Sequence, residues 1–296
     1  MSKNPIKTAL KRFVIKTRNY IDSLEEEPRQ NHNYDQYDTA YPWLNDVCRK
    51  LFNEGAGAWR PHFIFGVLHG AYLAKMIGIP RVSVIEFGVA GGNGLISLER
   101  VAEKVEGILG VNIDVYGFDT GAGLPKPRDH RDSPNSYTEN SFIMDAEKLK
   151  KRLNRARLLL GLVDKTILEF NKSNPAPVAF ISFDLDYYSS TMHAFKLFDA
   201  DPRLLLPRVH CYFDDIVGFT HSDFTGERLA ITEFNASHPM RKISPIYGLR
   251  YFLSGRLNEG AWPDMFYLAH IFDHELYGVS DGLWKRPFGS STDLRS

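Results

Sequence analysis

The spacing of apolar positions separates two kinds of segment. From Val82 onward, short β-branched and aromatic runs recur, each stopping at an acid: residues 82–85 before Glu86, 113–118 before Asp119, Val178–Phe183 before Asp184 and Asp186, and 209–213 before Asp214 and Asp215. Runs of this length without alternation are read as strands covered on both faces, as in a parallel sheet. Between and before them the apolar period is helical. Pro61–Met76 carries Phe63, Ile64, Val67, Leu68, Tyr72 and Leu73 on one broad face, with the proline suited to the first turn and Gly78 and Pro80 ending the helix. Trp43, Leu44, Val47, Leu51 and Phe52 also recur at helical spacing, and no strand pattern precedes residue 80.

The same spacing predicts a helix to about Val105, a basic helix over residues 144–160, a short strand at Ile167, Leu168 and Phe170, a helix after the cap at residues 189–191, and another near residues 227–235. A last strand over residues 265–272 suits an antiparallel pair at the far edge of the sheet. The polar, turn-rich stretch 128–140 is long for a compact domain and is read as a functional lid or a disordered loop. His62 and His69 lie on the packing helix, where histidines are usually structural.

The stretch 83–98, SVIEFGVAGGNGLISL, concentrates the candidate chemistry. Its glycines permit positive φ and close backbone approach, and the following helix start offers unpaired N–H groups to a ligand. The spacing is not the G-x-G-x-x-G of dinucleotide sites. Asp119, closing the second strand, is suited to ribose hydroxyls, and two neighbouring strands would bring Asp184, Asp214 and Asp215 to the same carboxyl edge, where open α/β sheets bind ligands. Carboxylates meeting there repel unless protons or a cation offset them, and an all-oxygen set favours Mg²⁺, Mn²⁺ or Ca²⁺. The other reading of these acids is that they cap strand ends or pair with Lys and Arg.

At 296 residues with zero net charge, the chain can bury one large α/β core and has no general polyanion-binding character. Cys48 and Cys211 are too few and too distant for a disulfide framework, which suits a reducing cytoplasm. There is no apolar run of about 18 residues. The basic N-terminal stretch, residues 3–18, is read as a surface helix or frayed arm, with a membrane-surface or targeting helix as the alternative.

EFGVAGGNG, GFDTGAGLP, SFDLDYYSST and YFDD follow one another over about residues 60–235 in an order that resembles the class I S-adenosylmethionine-dependent methyltransferases, in particular the macrocin O-methyltransferase-like family. The resemblance implies an α/β, Rossmann-like class I methyltransferase fold: a mostly parallel seven-stranded sheet with helices on both faces, spanning residues 81–296, behind an N-terminal helical appendage or lid at residues 1–80. It implies cofactor contacts from Glu86, Gly88, Val89, Gly91, Gly92, Asp119 and Thr120, and Mg²⁺ or another divalent cation on Asp184, Asp214 and Asp215. Asp184 or Asp186 would serve as base, with His193 as a second candidate. The implied partner is a small hydroxylated acceptor, with no nucleic acid or membrane; a homo-oligomer is left open, with Tyr34, Tyr37, Tyr41 and Trp43 read as lid or dimer contacts. Two departures stand out: Pro207-Arg208-Val209-His210 replaces a Gly-Gly pair before the last parallel strand, and the charged insertion over residues 126–157 is long. The competing readings are an enzyme of the cephalosporin-hydroxylase type on the same fold, and a non-catalytic cofactor-binding protein.

Overall fold

A computed structural model of the protein describes residues 40–57 and 60–279. The basic run at residues 3–18, Tyr34 and Tyr37 lie outside the described residues. Seven strands form one sheet: β1 (Arg81–Phe87), β2 (Asn112–Asp119), β3 (Arg157–Leu160), β4 (Val178–Phe183), β5 (Leu205–Phe213), β6 (Arg241–Pro245) and β7 (Phe266–Ile271), ordered β3-β2-β1-β4-β5-β7-β6. The first five run parallel, and β7 lies antiparallel between β5 and β6. This is the mostly parallel, Rossmann-like seven-stranded sheet that the motifs imply, and the late antiparallel pair closes the far edge as expected.

The helices are α1 (Ala40–Asn53), α2 (Pro61–Met76), α3 (Asn93–Leu109), α4 (Ala146–Lys150), α5 (Val163–Lys172), α6 (Tyr188–Ala194), α7 (Gly226–Ser237) and α8 (Leu249–Phe252). Helix α2 packs on the sheet itself, and two of its glycines explain how closely. A Cβ at Gly66 would lie 2.2 Å from the Phe180 ring, and one at Gly70 would lie 2.8 Å from the Ala179 carbonyl oxygen. Trp43, on α1, is 42 % exposed. None of the described helices is long and apolar enough to cross a membrane.

Two expectations are corrected. Residues 144–160 are not one basic helix: α4 ends at Lys150, and the chain turns to enter β3. The turn is set by Glu99, buried on α3, whose carboxylate accepts from the backbone N–H groups of Asn154, Arg155 and Ala156. The three leucines that follow then pair with β2. Ile167, Leu168 and Phe170 belong to helix α5, not to a strand. Ile167 and Phe170 are buried, three positions apart on one face, while Leu168 is exposed, which is the helical pattern.

Candidate functional site

The register of the sheet builds the site. Phe118, Phe87, Phe183 and Phe213 are paired in a single row across β2, β1, β4 and β5. All four are buried, and their rings follow one another at 4.8, 5.4 and 4.6 Å. One residue further along each strand gives Asp119, Gly88, Asp184 and Asp214, which line one cavity of about 510 Å³ at the carboxyl edge of the sheet. The sequence carries the signal as FG, FD, FD and FD at the four strand ends, which the strand-by-strand reading did not connect.

Gly88 has a steric reason to be glycine. At φ +84° its Cβ would meet the Asp184 carbonyl oxygen at 1.7 Å, so only glycine lets β1 and β4 close together here. Gly92, at φ +82°, similarly receives Leu149 of α4 against its backbone. Gly91 faces open space. Asp119 ties the turn to β2: its Oδ2 accepts from the N–H groups of Val89 and Ala90 at 3.0 and 2.9 Å, and its Oδ1 from Gly121 at 2.7 Å. Thr120 lines the cavity and donates to the Gly123 carbonyl at 2.7 Å.

Of the seven residues implied for the cofactor, Gly88, Asp119 and Thr120 line the cavity together with Ala90; Glu86, Val89, Gly91 and Gly92 do not. Glu86 is buried beneath the turn, against Gly94, whose Cβ would meet Glu86 Oε1 at 1.8 Å. Burial pushes its carboxyl up to about 8, against the pull of Arg60 and with help from Asp119 and Asp214, and its Oε2 has no hydrogen-bond partner. Its place is structural support for the turn from below.

At the other end of the cavity, carboxylate oxygens of Asp184, Asp214 and Asp215 lie within 4.8 Å of one another. Burial, and then the charges of Asp214 and Asp215, raise the proton affinity of Asp184. Burial and Asp214 do the same for Asp215. The trio is braced from behind. The Tyr212 hydroxyl donates to Asp214 Oδ1 at 3.0 Å while its ring stacks on His62 at 3.8 Å. The Tyr137 hydroxyl donates to Asp215 Oδ1 at 3.0 Å, and Asp215 Oδ2 accepts from the Asp186 N–H at 2.9 Å. Glu227, fully buried on α7, accepts from the Asp215 N–H at 3.1 Å. Among the described residues, no donor reaches the Asp184 carboxylate.

The donor set fits a hard divalent cation. All three groups are carboxylates, the oxygen donors that Mg²⁺, Mn²⁺ and Ca²⁺ take, and they lie close enough to face one ion. Each bonded oxygen keeps a second lone pair, so the tyrosine donors orient the carboxylates and leave them able to ligate.

Asp186 is 8 % exposed and sits at φ +59°, a strained setting for a residue other than glycine. Its carboxyl is raised by burial and by Asp215. His193, on α6, lines the same cavity, and burial followed by Arg128 lowers its proton affinity. His69 is buried among Phe65 and His210, on the sheet side of α2.

Three residues that brace the candidate site escaped the sequence: Tyr137, Asp132 and Glu227. The stretch 128–140 is ordered around Asp132, which is 0 % exposed and accepts from Arg128 N, Ser189 N and Ser189 Oγ at 2.8–2.9 Å. That anchorage is what carries Tyr137 to Asp215.

No family model and no curated relative matches the chain. Among solved structures it is similar to the calicheamicin methyltransferase CalS11, at 18 % identity over 75 % of this chain and 96 % of that one, with a TM-score of 0.47. It is also similar to the O-methyltransferase NovP, at 13 % identity over 59 % of this chain and 82 % of that one, with a TM-score of 0.41. The O-methyltransferase TomG from Streptomyces achromogenes aligns at 16 % identity over 79 % of this chain and 90 % of that one, with a TM-score of 0.39.

Proposed function

We propose that this chain is an S-adenosylmethionine-dependent O-methyltransferase acting on a hydroxyl of a small, sugar-containing metabolite, with a divalent cation held by Asp184, Asp214 and Asp215. The observation that carries this reading is the sharing of one cavity by the glycine turn with Asp119 and by the carboxylate trio. Its volume is within the ~300–1,000 Å³ range of small-molecule sites.

Asp119 ends β2 where nucleoside-binding α/β folds present an acid to ribose hydroxyls. Its grip on the turn keeps the Val89–Ala90 backbone in place before any ligand arrives. The cation, when bound, polarises the acceptor hydroxyl and lowers its pKa. Asp186, beside the trio and outside it, accepts that hydroxyl proton; its raised proton affinity suits a base working near neutral pH. His193, kept neutral, stands as a second acceptor on the same cavity wall. The sulfonium methyl needs no further activation, so the remaining task of the protein is to align oxygen, methyl and sulfur.

The hydroxylase reading calls for two histidines and a carboxylate around iron. Among the described residues the potential metal cluster contains three aspartates and no histidine. That composition favours methyl transfer.

Calorimetric titration with S-adenosylhomocysteine tests the assignment. Micromolar binding is expected, weakened at least about tenfold by Asp119→Ala, a loss of about 1.4 kcal/mol. Absence of binding with and without Mg²⁺ contradicts it.

A further inference from the structure

The cavity does not end at the carboxylates. A second hollow of about 190 Å³ adjoins it, and Arg128, Ser189 and His193 line both. Two acids also face the second hollow, but their charge is met within the protein. Asp129 is held by Arg131, through Nε at 3.1 Å and Nη2 at 2.9 Å, and Arg131 lies over the Tyr188 ring at 4.5 Å. Asp132 is fully buried and accepts from the three donors already described.

Arg128 is different. Its backbone N–H is fixed on Asp132 Oδ2 at 2.8 Å, while its guanidinium meets no partner among the described residues. Lys126, on the wall of the main cavity, sits between Pro125 and Pro127, whose rings fix φ on either side. Arg128 therefore stands on an anchored backbone where the two hollows meet, with Lys126 two positions earlier on the wall of the main cavity. A guanidinium presents a planar fork of donors matched to phosphate and carboxylate oxygens, and a backbone held in advance reduces the ordering cost of using it.

We propose that the second hollow is a subsite for an anionic group of the acceptor, phosphoryl or carboxylate, bound by Arg128. This rests on the methyltransferase reading, in which the hydroxyl to be methylated lies at the carboxylate trio, one side of the junction. The acceptor is then an acidic sugar derivative: its hydroxyl reaches toward Asp184 while its anionic substituent turns into the hollow lined by Arg128, Ser189 and His193.

The test uses the full chain saturated with S-adenosylhomocysteine, whose binding is measured first. The loaded protein is titrated with glucose 1-phosphate, glucuronate and glucose. At least one anion is expected to bind at least about tenfold more tightly than glucose; preference for the first identifies a phosphoryl group, and for the second a carboxylate. Arg128→Ala removes the preference and keeps S-adenosylhomocysteine affinity, and Arg128→Lys retains part of it. Equal binding of all three sugars, no binding of either anion, or a preference that survives Arg128→Ala overturns the proposal while leaving the cofactor assignment standing. Failure of S-adenosylhomocysteine itself to bind contradicts the methyltransferase reading, and the subsite falls with it.

Discussion

The rings of Phe183 and Phe213 stack at 4.6 Å and within 4° of parallel, and the next residue on each strand is a carboxylate of the acidic trio. The separation of Asp184 from Asp214 is thus set by packing one residue earlier, inside the core. Phe183→Leu removes the ring stack, worth about 0.5–1.5 kcal/mol beyond burial. The variant is expected to fold, to lose about 1–3 kcal/mol in denaturant unfolding, and to bind Mn²⁺ more weakly. Unchanged Mn²⁺ affinity in a destabilised variant would show that the stack does not set the ligand spacing.

Gly88 and Gly91 make a matched pair. Gly88→Ala places a Cβ against the Asp184 carbonyl in a left-handed backbone, and a loss of more than about 2 kcal/mol is expected. Gly91→Ala meets open space and should change stability by less than about 0.5 kcal/mol. Thermal unfolding of the two variants side by side checks the contrast.

Glu86 gives a pH dependence with a defined sign. Its folded carboxyl is raised to about 8 from an ordinary 4.5, so between these values the folded state holds more protons than the unfolded one. Stability contributed by the protonated form is present below the unfolded value and is lost as pH rises toward 8. Glu86→Gln should therefore gain stability relative to the parent as pH rises from 5 to 8 and hold that gain above it. Parallel unfolding curves for the two proteins across this range would contradict the burial argument.

A divalent cation should reverse the electrostatic cost of the trio. Burial and like charge raise Asp184 and Asp215, so ion binding must displace protons and strengthen with pH. At about 100 times its Kd the ion adds about 2.7 kcal/mol. The Tm increase on adding Mn²⁺ is expected to be larger at pH 8 than at pH 6 and to vanish in Asp184→Asn; an increase that survives the substitution locates the ion elsewhere.

Tyr137 joins a loop to the acid cluster across 78 positions of sequence. Tyr137→Phe should cost about 1.5–3 kcal/mol, the range for a hydrogen bond to a charged group. It should also speed proteolytic cleavage within residues 128–140. Cleavage at the parental rate would mean that Asp132 alone holds the segment.

What the sequence revealed of this site follows from how local each determinant is. The glycine turn and the acids at four strand ends are each written within a few residues, and the parallel register that aligns them follows once the strands are recognised. The turn into β3 is not local, because Glu99 on α3 caps the N–H groups of residues 154–156 from more than 50 positions away, breaking what reads as a continuous basic helix. Ile167 and Phe170 are too few apolar positions to separate a short strand from an amphipathic helix without their burial. Tyr137 and Asp132 lie in a polar stretch with no periodicity, and Glu227 reads as an ordinary first-turn acid of α7 until its burial behind Asp215 is seen.

The most direct test of the account is a crystal structure of the chain with S-adenosylhomocysteine and Mn²⁺, with the metal identified by anomalous scattering. The account predicts ribose hydroxyls at Asp119, and an anomalous peak among Asp184, Asp214 and Asp215 in the same cavity. A nucleoside bound away from Asp119, or Mn²⁺ bound elsewhere with the trio empty, would contradict it.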